Sequence, residues 1–281
     1  MLLNKYLNKF FKDVSRWPFP IKICVIFGKI DNMKRYIPNI ITLLNVLCGC
    51  IAAVFAVQNQ LELAALFFVV GVLFDFFDGL AARALKVQSE LGLQLDSLAD
   101  VITSGLVPGI IMFQLLNMSI GGGWNYLGID STVNWMGVEV TPLSFLGFFI
   151  TMASAYRLAK FNLDENQTSS FIGLPTPANA LMIISLPLIL LYHNNDTLNS
   201  IILNPLFLIG TTLLSCYLLN AKIALFALKF KNWSFKDNAL RYIFIIVSVV
   251  LLITLKFLAV PLIITFYILS SIVTNIGTAK T

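Results

Sequence analysis

From Ile37 onward the chain alternates apolar runs of about 16 to 27 residues with short polar breaks, and runs near 20 residues are long enough to cross a bilayer. Eight spans are predicted, at about 37–57, 63–83, 91–117, 141–162, 176–192, 201–221, 240–255 and 257–276. Pro and Gly fall inside several of them, which membrane helices tolerate where neighbours re-satisfy the freed backbone groups. The last two spans are parted only around Lys256, so a helical hairpin is expected there. No internal repeat or low-complexity linker interrupts the pattern. Residues 37–281 are therefore expected to form one membrane-embedded domain, an all-α polytopic helix bundle.

Residues 1–36 follow another rhythm. Leu3, Leu7, Phe10, Val14 and Trp17 recur at helical spacing, while Lys5, Lys9, Lys12 and Arg16 share a second face. That is the pattern of a helix lying on an anionic membrane surface, ended by Pro18 and Pro20. Nothing here resembles a cleavable signal, and Met33 before Lys34 and Arg35 would serve as a natural start, so residues 1–32 are expected to be dispensable.

Composition agrees with a membrane protein: 58% of the 281 residues are hydrophobic and 12% charged. The net charge of +5 does not indicate a nucleic-acid partner, because the basic residues lie in the breaks between apolar runs. With the N-terminus inside, 18 of the 19 basic residues fall on one face of the membrane and Lys256 alone on the other. This is the distribution that orients membrane proteins. Cys24, Cys48, Cys50 and Cys216 lack metal-ligand spacing and read as free thiols, and His193 reads as an interfacial loop residue. The Gly-rich loop from about 118 to 140 carries no Lys or Arg and is placed on the far side.

Against this background four carboxylates stand out. Asp75 and Asp78 are three apart, Asp96 and Asp100 four apart, so on helices each pair faces one way, separated by about 4.5 and 6 Å of axial rise. The second and third spans are antiparallel neighbours joined by a short turn near Lys86 to Glu90, which brings both pairs to one depth near the basic face. An uncompensated charge in a membrane span costs roughly 2.5 to 3.5 kcal/mol on insertion scales. Clustered carboxylates suit a hard divalent cation such as Mg²⁺ or Mn²⁺. The alternative is that the Asp residues merely accept hydrogen bonds at helix ends, which explains one pair but not two in register. Gly79 and Ala82 share the helix face of the first pair, leaving room either for a ligand or for close helix packing.

Asp75, Asp78, Gly79, Ala82, Arg83, Gly92, Asp96 and Asp100 match every fixed position of the pattern D-x2-D-G-x2-A-R-x8-G-x3-D-x3-D. In this the chain resembles the CDP-alcohol phosphotransferases. The resemblance implies a homodimeric membrane protein with a six-helix core, here with two further helices. It also implies two divalent ions held by Asp75, Asp78, Asp96 and Asp100, and a CDP-linked donor bound at Gly79, Ala82 and Arg83. Asp100 is implied as the general base. Arg83 would serve either to bind phosphate or to orient an Asp.

Other stretches are similar to bacterial CDP-diacylglycerol:serine phosphatidyltransferases: Ile37 to Asn45 with Cys48-Gly49-Cys50, Tyr156 to Asn162, and Gly173 to Ala180. After Asp100 such proteins commonly continue Val-Val-Ser-Phe-Gly, and this chain departs from them with Val101-Ile102-Thr103-Ser104-Gly105. This resemblance implies CDP-diacylglycerol and L-serine as substrates and a place in the cytoplasmic (inner) membrane among its lipids, with the site facing the cytoplasm. Arg157 and Lys160 are candidates to hold the acceptor's carboxylate, or else ordinary interfacial snorkelling residues. Thr176 and Asn179 either line the same pocket or cap their helix. Asn39 and Thr42 are placed to reach the nucleotide. Glycerol 3-phosphate, an inositol phosphate or an archaeal-type lipid donor would fit the same chemistry. An intramembrane prenyltransferase lacks the Gly-Ala-Arg-Gly framework, and a cation transporter would spread its carboxylates along a path rather than at one depth.

Overall fold

The computed structural model describes residues 33–121, 133–135, 138–163, 171–193, 195–225 and 235–278. The amphipathic segment expected within residues 1–32 and much of the Gly-rich loop lie outside the described residues. The rest is helical: α1 (Met33–Val57), α2 (Leu61–Leu85), α3 (Glu90–Asp100), a π-helical segment (Val101–Leu106) and α4 (Val107–Gly121). A 3-10 turn (Pro142–Gly147) then leads into α5 (Phe148–Leu163), followed by α6 (Thr176–Tyr192), α7 (Asp196–Ile202), α8 (Pro205–Asn220), α9 (Phe235–Leu255) and α10 (Ala259–Thr278). Two antiparallel pairs of two- or three-residue strands interrupt the helices: β1 (Val133–Trp135) with β2 (Val138–Val140), and β3 (Phe171–Ile172) with β4 (Ala224–Leu225). The all-α expectation holds.

Helices in lipid need no polar outer face. Leu43, Leu47 and Val54 of α1 and Leu66, Leu73, Phe76 and Phe77 of α2 are exposed large apolar side chains, as a hydrocarbon solvent allows. The interior is built around α4, where Ile111, Met112, Leu115 and Leu116 are fully buried, and α6, where Ile183, Ile184, Leu186 and Ile189 are nearly so.

Four helical stretches are long and apolar enough to cross a membrane: Tyr36–Val57, Leu61–Leu85, Glu90–Gly121 and Arg241–Thr274. A fifth is reached if α7 and α8, bent by 58° at their junction, count as one. The expected eight are not all reached by that measure, because α9 and α10 are taken together as one stretch and α5, α6 and α8 have only 16, 17 and 16 residues. A 17-residue helix is about 25 Å long, short of the roughly 30 Å hydrocarbon core. α6 is enclosed by protein instead. The last stretch folds back at Lys256, where φ is +48°, so that the rings of Phe244 and Phe266 stack with centroids 5.8 Å apart. The α9–α10 hairpin is as expected.

Two turns position the site. α2 ends with Lys86 at φ +55°, where Lys86 N–H bonds to Arg83 O and Val87 N–H to Ala82 O. This is a Schellman closure, built on Lys where Gly is usual. Three residues later Ser89 caps α3, its Oγ accepting from Gly92 N at 3.1 Å. The α2–α3 turn is therefore short, and both carboxylate pairs ride on one helical hairpin. The second turn precedes α6. Gly173 has φ +75°, and a Cβ there would lie 2.7 Å from Leu219 O, so only Gly fits. Gly173 N–H to Ile223 O and Leu174 N–H to Leu218 O pin the start of α6 against the end of α8.

Candidate functional site

The helical spacing of the Asp residues has the expected result. Asp75, Asp78 and Asp96 each present one carboxylate oxygen within 4.8 Å of the others. At that separation each pair of ionised carboxylates repels by roughly 3 kcal/mol in an effective dielectric of about 20. The arrangement therefore calls for a compensating cation. Thr42 compensates only locally: its Oγ1 donates to Asp78 Oδ2 at 2.5 Å, while Asp96 Oδ1 is buried and has no partner. An all-oxygen donor set with an unmatched buried carboxylate oxygen fits a hard divalent ion.

Asp100 stands beside this trio. Asp75, Asp78, Asp96 and Arg157 of α5 are its charged neighbours. Thr176, at the first position of α6, faces Asp100 but makes no hydrogen bond of ordinary geometry. The trio rather than the expected quartet forms the tight cluster, and Asp100 links it to the helices of the second half.

A pocket of about 500 Å³ opens next to the trio. Asn39, Thr42, Asp78, Gly79, Ala82 and Asp96 line it, together with the turn residues from Val87 to Glu90 and Gly92. The predicted nucleotide-side residues are thus brought together, except Arg83, which is exposed, with Nη2 3.8 Å from where a Gly79 Cβ would sit. Nothing else comes within 4 Å of that position. The small residue at 79 keeps space open instead of serving helix packing.

The predicted acceptor residues divide. Arg157 is partly buried with Nε unpartnered, Thr176 is 1% exposed with its hydroxyl unpartnered, and Asn179 is fully buried with both amide atoms unpartnered. Buried polar groups without partners are uncommon in native proteins and ask for a ligand or water. Lys160, one turn from Arg157, is exposed.

Three features were not anticipated. Asn162 accepts from Ser97 Oγ at 3.0 Å and donates to Gln94 Oε1 at 3.1 Å, clasping α5 to the carboxylate-bearing α3. Thr42, while lining the pocket, also bonds the carboxylate of Asp78. Deeper in the membrane, Thr103 Oγ1 donates to Asn45 Oδ1 at 2.8 Å. The only signal for this last pair was an amide in an apolar run, and nothing in the sequence named its partner.

Comparison with known proteins agrees with this geometry. Residues 35–217 match the family model described as CDP-alcohol phosphatidyltransferase. The chain is 31% identical over 194 residues to the CDP-diacylglycerol--serine O-phosphatidyltransferase of Bacillus subtilis, covering 67% of this chain and 89% of that protein. It is 29% identical over 155 residues to the protein of the same name in Helicobacter pylori, covering 54% of this chain and 57% of that one. To the archaetidylserine synthase of Methanothermobacter thermautotrophicus it is 27% identical over 152 residues, covering 53% and 56%. With the family model spanning most of the chain and the Asp trio in place, this multi-pass membrane protein belongs to the CDP-alcohol phosphatidyltransferase family.

Proposed function

We propose that the protein is a CDP-diacylglycerol:serine O-phosphatidyltransferase, which moves the phosphatidyl group of CDP-diacylglycerol to the hydroxyl of L-serine and releases CMP. The observation that carries this reading is the juxtaposition of two environments. An open pocket lies on the acidic trio, and beside it Asp100 has as neighbours Thr176 and the partly buried Arg157, whose Nε, like the Thr176 hydroxyl and the Asn179 amide, has no hydrogen-bond partner. The names of the relatives point the same way, since those from Bacillus and from Methanothermobacter differ in lipid but share serine.

The donor diphosphate lies over the acidic trio, with the nucleotide in the pocket beside Gly79 and Ala82. Asp75, Asp78 and Asp96, with Asp100 alongside, would hold two divalent ions, Mg²⁺ or Mn²⁺, which when bound polarise the phosphoryl oxygens and neutralise charge on the departing CMP. Arg157 holds the serine carboxylate by charge-assisted hydrogen bonds. Thr176 and Asn179 orient the acceptor. Asp100 takes the hydroxyl proton as the serine oxygen bonds to the phosphorus that carries diacylglycerol, and the bond from that phosphorus to the CMP oxygen breaks. The site faces the cytoplasm, the side on which the basic residues collect, and residues 37–281 form the catalytic unit.

Purified protein given CDP-diacylglycerol and labelled serine with Mg²⁺ or Mn²⁺ is expected to release CMP and to label phosphatidylserine. Release driven by glycerol 3-phosphate or an inositol phosphate, and not by serine, would refute the acceptor assignment.

A further inference from the structure

We propose that Thr103, bonded to Asn45, is a positioning residue that sets the spacing of the carboxylates by pinning three helices together one turn beneath them. The inference rests on the reading of the acidic cluster as a divalent-ion site.

Thr103 and Asn45 are 1% and 0% exposed. Besides the 2.8 Å bond between their side chains, Thr103 Oγ1 lies 3.4 Å from the Asn45 carbonyl oxygen. Two glycines make the approach possible. A Cβ on Gly49 of α1 would stand 2.5 Å from Thr103 Oγ1, and one on Gly71 of α2 would stand 3.0 Å from both Asn45 Oδ1 and Thr103 Cγ2. The backbones of α1, α2 and the π-helical segment therefore converge on one buried polar contact.

Each of the three also carries a site residue one turn away. Thr42 precedes Asn45 by three positions, Asp75 follows Gly71 by four, and Asp100 precedes Thr103 by three. One helical turn is about 5.4 Å, so a small rotation or slide at the contact is passed directly to the carboxylates. The backbone between is unusual as well. Val107 N–H bonds to Ile102 O, five residues back, in the wider turn of a π-helix that starts immediately after Asp100. Such turns change the phase of everything that follows and occur often at functional sites. Here the wider turn buries three consecutive residues, Thr103, Ser104 and Gly105. The hydroxyl of Thr103 is directional where a methyl is not. Its bond fixes the rotation of the segment as well as its distance from α1.

The test is Mn²⁺ binding to the purified, substrate-free protein, followed by electron paramagnetic resonance, with thermal unfolding and CMP release measured on the same samples. Thr103→Val keeps the shape and removes the hydroxyl. It is expected to weaken Mn²⁺ binding roughly tenfold, as loss of outer-shell support does, and to lower kcat more than it changes KM for serine. Thr103→Ser restores the hydroxyl and is expected to bind Mn²⁺ as the unmodified protein does. Gly71→Ala keeps the hydroxyl but forces the helices apart, and is expected to weaken Mn²⁺ binding as Thr103→Val does. Unchanged Mn²⁺ binding in Thr103→Val or Gly71→Ala overturns the proposal, and so does a Thr103→Ser protein as impaired as Thr103→Val. An unmodified protein that binds Mn²⁺ but transfers nothing to serine refutes the acceptor assignment and leaves the Mn²⁺ comparison intact. One that binds no Mn²⁺ refutes the metal site and this inference together.

Discussion

Thr42 of α1 donates a 2.5 Å hydrogen bond to Asp78 of α2, and so ties the first helix to the acidic trio at the pocket proposed for the nucleotide, which both residues line. Hydrogen bonds to charged groups contribute about 1.5 to 3 kcal/mol. Thr42→Val is expected to reduce CMP release by roughly tenfold or more at fixed Mn²⁺, and Thr42→Ser to retain most of it. Initial rates for the two variants side by side check this, and equal rates would show that the bond is dispensable.

Asp100 has the carboxylates of the trio and the Arg157 guanidinium as charged neighbours. Asp100→Asn keeps the shape and removes the proposed base. Transfer is expected to fall by about 10² to 10⁴, the usual contribution of a positioned base, while CDP-diacylglycerol still binds. Single-turnover transfer and equilibrium donor binding, measured on one preparation, separate the two effects. Unaltered turnover would remove Asp100 from the chemistry.

The different exposures of Arg157 and Lys160 predict different phenotypes. Loss of a charge-assisted bond worth about 1.5 to 3 kcal/mol should raise the KM for serine in Arg157→Leu by roughly 10- to 100-fold. Lys160→Leu should change it less than about fivefold, since an exposed charge contributes about 0 to 1 kcal/mol. Serine titrations decide it. A larger effect at Lys160 would reverse the assignment.

At Gly79 a Cβ meets nothing closer than Arg83 Nη2 at 3.8 Å. Gly79→Ala should fold normally and gain helix propensity worth about 0.8 to 1 kcal/mol. Gly79→Leu should also fold, yet its side chain occupies the pocket, so the KM for CDP-diacylglycerol should rise while the KM for serine stays put. Thermal unfolding with both titrations tests this, and a Leu variant with an unchanged donor KM would show that the pocket is not where the nucleotide lies.

The carboxylates could be read from sequence because a charge in an apolar run has few explanations, and their spacings of three and four leave one geometry on helices. The α2–α3 and α9–α10 hairpins were legible for a similar reason: a short polar break between two long apolar runs leaves the chain little choice. The crossing count was harder to read. α6 is short and encloses Pro187, and its burial by neighbours, not its length, makes it stable inside the bundle. Nor could the closure at Lys86 be anticipated, since the residue there is not the usual Gly. Thr42 and Asn39 were picked out for position, but the partner of Thr42 is a carboxylate 36 residues away, a contact that depends on how α1 and α2 rotate against each other. The Asn45–Thr103 pair escaped for the same reason. A single amide or hydroxyl among apolar residues says that a partner exists without saying which.

The clasp of Asn162 on Ser97 and Gln94 joins two parts of the chain with separate tasks. Residues 33–100 supply the acidic trio and the pocket beside it, while α5 and α6 supply Arg157, Thr176 and Asn179, the groups proposed to face the acceptor. Changes of acceptor can therefore accumulate on α5 and α6 without disturbing the machinery that activates the donor, provided the clasp keeps the two in register. A lineage could in this way exchange one polar headgroup for another by altering a few side chains around Arg157, Thr176 and Asn179, and inherit the phosphoryl chemistry unchanged.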